Sequence, residues 1–316
     1  MGKRGHWFVG ATILGGLALS VSTAQAYVRI VSDSGVPLWW RNPCITMEIY
    51  LGSPPPTMTA EQYFNASQLA AQAWSHGSLA CTGLTLSIRR QPEATADVGL
   101  DRKNVIVFLK DSWCKDSNAT DGPCYPANAL AVTSDFKNDT TGEIGDADIE
   151  LNAVNISWAD LLANPQLTAS GTADFQNTLT HELGHVIGLA HPCYSSKDGT
   201  PVLKDNNGND EVTCGKANMP LSVTESTMYP SIPMSDTERR TLSPDDQQAV
   251  CDIYPYGSAI CGEYLLNGGC ALAGQTSSPS RRAWVLGLLA AAVGLLIAVA
   301  YRRSRLRTAP CYATRR

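Results

Sequence analysis

His181-Glu182-Leu183-Gly184-His185-Val186-Ile187-Gly188-Leu189-Ala190-His191 is the stretch on which the fold turns. Two histidines four apart on a helix differ by about 40° in direction and one turn in height, so both imidazoles can reach one metal ion. A third histidine six residues further along an unbroken helix would sit about 9 Å up the axis and face about 240° away. The helix must therefore end early if His191 is to join the pair. Gly188 is placed to end it, because glycine enters the left-handed conformation of a helix C-terminus at little steric cost. Pro192 then biases His191 toward extended backbone and stops any helical continuation.

An isolated H-E-x-x-H can equally be a surface pair on a solvated helix. The full five-position pattern should recur by chance on the order of once per 100,000 chains of this length, which favours the ligand reading. Downstream, a polar, glycine-rich loop beginning near Tyr194 closes on Ser226-Thr227-Met228-Tyr229-Pro230. H-E-x-x-H-x-x-G-x-x-H followed by a methionine turn is the metzincin signature, and this sequence resembles that family. Tyr229 directly follows Met228, as in the matrixin branch, and so is not assigned to the metal.

The resemblance implies one catalytic Zn2+ held by His181, His185 and His191, Glu182 as general base, Gly188 as the helix-ending turn and Met228 as an apolar floor beneath the imidazoles. It implies a metalloendopeptidase acting on an extended polypeptide substrate. That substrate is expected to lie along an edge strand near residues 148–152, with Tyr229 and Pro230 in the pocket wall. The competing class is a non-catalytic, zinc-binding surface protein used for adhesion. Glu182 argues against it, since metal binding alone needs only the histidines.

The chain departs from animal matrixins in two ways. Only residues 27–43 precede the first expected strand, with no cysteine-switch propeptide among them. Outside the motif only His6 and His76 remain, so a second, histidine-built zinc site is not expected. Gly145-Asp146-Ala147-Asp148 is acidic where matrixins often place a metal-binding histidine. Ca2+ stays open as an occupant there or over residues 205–210 but has no positive support, because Asp/Asn-rich turns are ordinarily just solvated.

The resemblance implies an α+β, zincin-like metzincin fold: a twisted five-stranded mixed sheet with a backing helix, an active-site helix and a C-terminal helix. Strands are expected at 45–51, 84–88, 105–109, 129–133 and 148–152. The first helix runs from a Thr59/Gln62 capping box to Gly77, the second begins near Asp174, and Ser243 caps the last, through Cys251.

A chain of 316 residues, 44% hydrophobic and 17% charged, suits one medium catalytic domain with appendages and a sizeable core. Net charge is −5 and the clustered arginines sit at the C-terminus, so nucleic acid is not an expected partner; a monomer is expected. Residues 1–26 read as a secretory signal peptide, with Lys3 and Arg4 before an apolar run and Ala24-Gln25-Ala26 at the cleavage point. Residues 27–257 form the expected catalytic domain and 258–282 a Cys/Ser/Pro-containing linker. Residues 283–301 make an apolar span and 302–316 a basic cytoplasmic tail, which attaches the chain to a membrane with the catalytic domain outside. With Cys270 this end resembles the C-terminal sorting signals of bacterial surface proteins, the myxobacterial type in particular. A cleaved signal and a permanent anchor both stay open, so the expected location is the cell surface, the outer envelope or, after processing, the medium.

An exported chain with ten cysteines is expected to carry disulfides. Neighbourhood in sequence favours Cys44 with Cys81, Cys114 with Cys124, Cys193 with Cys214 and Cys251 with Cys261.

Overall fold

The computed structural model describes residues 27–52, 54–91, 98–115, 124–195 and 201–257. The expected signal peptide, linker, span and tail lie outside the described residues. Among the described residues no helix is long and apolar enough to cross a membrane.

Five strands form the main sheet: β1 (Cys44–Tyr50), β2 (Thr85–Gln91), β3 (Asn104–Leu109), β4 (Ala131–Lys137) and β5 (Ile144–Asn152). Their order is β2-β1-β3-β5-β4. The first four of these are mutually parallel, and β4 runs antiparallel to β5. The fold is therefore α+β with a mixed five-stranded sheet, as expected. β3 lies at the centre with Val105 and Ile106 both buried, one on each face, which is why its run reads as continuously apolar.

One expectation fails here. Residues 148–152 belong to β5, which is hydrogen-bonded to β3 on one side and β4 on the other, so they are not at an edge. The terminal strand on that side is β4. β5 is interior because β3 and β4 pair with its two edges, and both of its faces are covered as well: Ala147, Ile149 and Leu151 enter the apolar core, while Asp146, Asp148, Glu150 and Asn152 are buried on the other face. Loops and the start of β3 supply their partners. Asp146 accepts the Asp101 N–H at 2.7 Å, and Asp148 accepts those of Gly99 and Val105 at 2.8 and 2.9 Å. Tyr125 donates to Glu150 at 2.9 Å, and Asn152 donates to the carbonyls of Ala127 and Ala129.

Helix α1 (Ala60–Trp74) opens on the reciprocal Thr59/Gln62 capping box and buries Tyr63, Ala66, Ala70, Ala71 and Trp74. These residues recur at helical spacing and give the helix one apolar stripe to lay on the sheet. At its far end the Trp74 indole donates to Thr180 O at 2.8 Å. This bond ties α1 to the next long helix, α2 (Phe175–Val186).

The last helix, α3 (Pro244–Ile253), is capped by the Ser243 side chain. Its C-terminal end docks against the turn after α1. Gly83 N–H donates to Tyr254 O and Tyr256 N–H to Cys81 O, each at 2.8 Å. That docking brings Cys81 and Cys251 to a Cα separation of 5.3 Å and pairs them. It overturns both the Cys44 with Cys81 and the Cys251 with Cys261 pairings, because packing of the chain's two ends outweighs nearness in sequence. Cys44 is disulfide-bonded, though not to Cys81. Cys114 with Cys124 and Cys193 with Cys214 pair as expected.

The segment before β1, read from sequence only as a lead-in, has a structural task. Val28–Arg29 pairs antiparallel with Leu189–Ala190, and Ile30 N–H donates to Gly188 O at 2.9 Å.

Candidate metal centre

Helix α2 starts where Asp174, in extended conformation, accepts the Asn177 N–H at 2.8 Å. The same carboxylate is held by the Arg240 guanidinium, so the buried cap charge is paired. Twelve residues later the helix stops as the motif predicts. Gly188 takes φ +92°, and a Cβ there would stand 2.6 Å from Leu38 O. Both the backbone conformation and the close approach of the N-terminal segment therefore require glycine.

The reversal at Gly188 brings His191 back to the pair on α2. His191 Nε2 lies 3.2 Å from His185 Nε2 and 3.3 Å from His181 Nε2, and the three side chains could together hold one metal ion. Backbone carbonyls set two of the ring tautomers. His181 Nδ1 donates to Thr227 O and His185 Nδ1 to Leu189 O, both at 2.7 Å. Because a carbonyl only accepts, each Nδ1 carries the proton and each Nε2 keeps its lone pair. Burial, reinforced by the neighbouring imidazoles, holds His181 well below the usual histidine range and His191 down at about 3. These are neutral imidazoles, the form that binds metal.

The spacing is compatible with a single tetrahedral ion of zinc's size. Two nitrogens at 2.0–2.1 Å from a tetrahedral zinc stand about 3.3 Å apart, and the Nε2 separations match that figure. An all-histidine set suits zinc and leaves a fourth position open.

Met228 is buried and packs against the helix that carries His181 and His185. Gly184, one turn of α2 between His181 and His185, has no Cβ to spare: a Cβ would meet Met228 Sδ at 2.2 Å and Trp74 Cζ2 at 2.9 Å. The methionine turn itself is clamped from α3. Asp246 accepts Ser226 Oγ at 3.0 Å, Thr227 N–H at 2.6 Å and Ser243 Oγ at 2.5 Å. Since Thr227 O in turn receives His181 Nδ1, a buried carboxylate on the last helix fixes a ring of the cluster through a single turn. Sequence reading placed Ser243 as a cap but missed Asp246, although its position three residues after the cap is a recognisable signal.

Glu182 is buried beside the histidines. Its Oε2 accepts the Thr133 hydroxyl at 2.7 Å, bringing β4 into the site. Burial raises the Glu182 carboxyl above the usual range, while His185 and the Thr133 hydroxyl oppose the rise. Thr133 was read from sequence only as part of a strand. Tyr229 and Pro230 are half-buried next to Met228. Asp205, in the other acidic turn, spends Oδ1 on the N–H groups of Asn207 and Asn209.

No family model matches the chain. Part of it is similar to Metallopeptidase AprA of Pseudomonas marginalis, 44% identical over 54 residues, covering 16% of this chain and 11% of that protein. Metalloprotease AprA of Pseudomonas entomophila (strain L48) is 42% identical over 52 residues, again covering 16% and 11%. The chain thus spans about a tenth of the length of the curated relatives it matches. Two solved structures are also similar. A GM1-bound form of the ECX AB5 holotoxin has 11% identity and a TM-score of 0.38, covering 72% of this chain and 88% of that one. Myroilysin has 17% identity and a TM-score of 0.32, covering 69% and 82%. At those scores neither defines the fold. A short stretch of the chain is thus similar to bacterial metallopeptidases, and its described residues include a three-histidine cluster of metal-binding geometry.

Proposed function

We propose that this protein is a zinc-dependent endopeptidase of matrixin-like metzincin type. The carrying observation is that Glu182 sits beside three convergent Nε2 atoms, two of them fixed as lone-pair bearers, a combination that metal storage or adhesion alone would not need. His181, His185 and His191 would hold the ion, with Met228 beneath them. When bound, zinc would lower the pKa of water toward 7 and stabilise negative charge on the scissile carbonyl oxygen. Glu182 takes one proton from the attacking water and delivers it to the leaving amine, so that hydroxyl adds to the carbonyl carbon, the C–N bond breaks and Glu182 returns to carboxylate.

β4, the terminal strand, supports an extended substrate by backbone pairing, which relocates the expected binding edge from 148–152 to 131–137. Tyr229 and Pro230 continue as candidates for the pocket wall, on the strength of their half-burial beside Met228. Three described disulfides fit an oxidising compartment. An outward-facing location, whether anchored or released, follows the same reading.

The test is Glu182→Ala in the full chain. Peptidase activity should fall about 10²–10⁴-fold while one zinc per chain, measured by atomic emission, is retained. Wild-type activity should vanish with a chelator and return with zinc. Activity that survives Glu182→Ala, or a wild type that cleaves no peptide once loaded with zinc, overturns the proposal.

A further inference from the structure

We propose that Thr133 is a positioning residue for Glu182: its hydroxyl ties down one carboxylate oxygen so that the other is presented to the proton it must take. This deepens the peptidase reading and rests on it.

The geometry is specific. Thr133 Oγ1 is 2.7 Å from Glu182 Oε2 and 3.4 Å from the backbone oxygen of the same residue. Both neighbours accept, so the hydroxyl proton points at Glu182 whichever one it favours. A carboxylate with one oxygen held by a donor has lost its freedom to rotate, and Oε1 becomes the oxygen available for proton transfer. A glutamate with χ angles left free would spread over several orientations at a cost in rate rather than in affinity.

The residue type and its placement reinforce this. Threonine is β-branched, so its hydroxyl direction is restricted at χ1 far more than that of serine. A hydroxyl also donates or accepts as needed. The bond is therefore kept when Glu182 is a carboxylate and when it briefly carries the proton, whereas a cationic donor would oppose protonation. Thr133 sits opposite Ile149 in the β4–β5 ladder, and side chains alternate across a strand, so Val132 and Ser134 point away from the site. β4 is also the strand proposed to pair with substrate. A single rigid element would then set both the substrate backbone and the orientation of the base.

The experiment compares wild type, Thr133→Val and Thr133→Ser in the full, zinc-loaded chain, and adds crystal structures of the wild type and Thr133→Val. Valine keeps the branched shape and removes the hydroxyl. We expect kcat to fall about 10- to 100-fold, the worth of a hydrogen bond to a charged group, with KM unchanged, zinc retained and serine restoring part of the rate. The Glu182 carboxylate should be turned or split between orientations in the valine protein. Unchanged kcat in Thr133→Val, a loss confined to KM, or a Glu182 carboxylate that stays in place overturns the assignment. If the wild type itself cleaves nothing, the peptidase reading falls, and the two crystal structures still decide whether Thr133 orients Glu182.

Discussion

The two faces of β5 both bury polar chemistry, and they bury it differently. On the loop-covered face, Asp146, Asp148, Glu150 and Asn152 spend their side chains on the N–H, hydroxyl and carbonyl groups of loops and of the start of β3, with Asp146 Oδ1 the exception along that row. On the helical side, His181, His185 and His191 spend Nδ1 on carbonyls in two cases and turn Nε2 toward one another. Buried polar groups that use up their partners stabilise a fold; buried lone pairs aimed at a common point leave room for a ligand. The contrast separates structural carboxylates from the proposed site without reference to composition.

Gly184→Ala should break the helical side most. A methyl group 2.2 Å from Met228 Sδ must displace that side chain, and outer partners of a metal site are commonly worth about 10- to 100-fold in affinity. Competition with a chromophoric chelator reads that loss directly; unchanged zinc affinity would mean Met228 does not orient the imidazoles.

Asp246→Asn comes next. It replaces an acceptor of the Thr227 N–H, and a buried hydrogen bond to a charged group is worth about 1.5–3 kcal/mol. Urea unfolding of the metal-free chain should show the loss in midpoint, and near-wild-type stability would contradict the clamp.

The smallest effect belongs to the loop-covered face. Burial pushes the Asp148 carboxyl up to about 7, against the N–H groups of Val105 and Gly99 and with the help of Asp146 and Asp101. An unfolded aspartate titrates near 4, at about 3.9, so the folded chain binds this proton more tightly. That contribution to stability is whole below about 4 and lost as pH rises to about 7. Asp148→Asn should flatten the slope of unfolding midpoint against pH in that window and leave zinc affinity at fixed pH alone. A fall in zinc affinity matching that of Gly184→Ala would erase the difference between the two faces.

What could be read from the chain follows the range of the forces involved. The spacing of His181, Glu182 and His185 and the glycine at 188 are local, and local geometry carried them into the structure unchanged. The capping box at Thr59 and the alternation of Leu84 and Leu86 are local too. β4 was legible only to Thr133, because Ser134, Asp135 and Lys137 look like turn residues until Asp148, Ala147 and Ile144 pair with them. Placing β5 inside the sheet needed its pairing with β3, more than 40 residues earlier in the chain. Pairing Cys81 with Cys251 needed the docking of α3, and the roles of Thr133 and Asp246 needed contacts between elements far apart in sequence.

The pairing of Val28–Arg29 with Leu189–Ala190 joins residues separated by more than half of the chain. A ribosome delivers the first of these long before the second, so that ladder is among the last to close and carries a large loop-closure cost. The bend that returns His191 to its partners is buttressed by that early-made segment, at Ile30 and at Leu38. Completion of the three-histidine cluster is thus coupled in time to completion of the whole domain, and a half-translated chain holds no finished cluster.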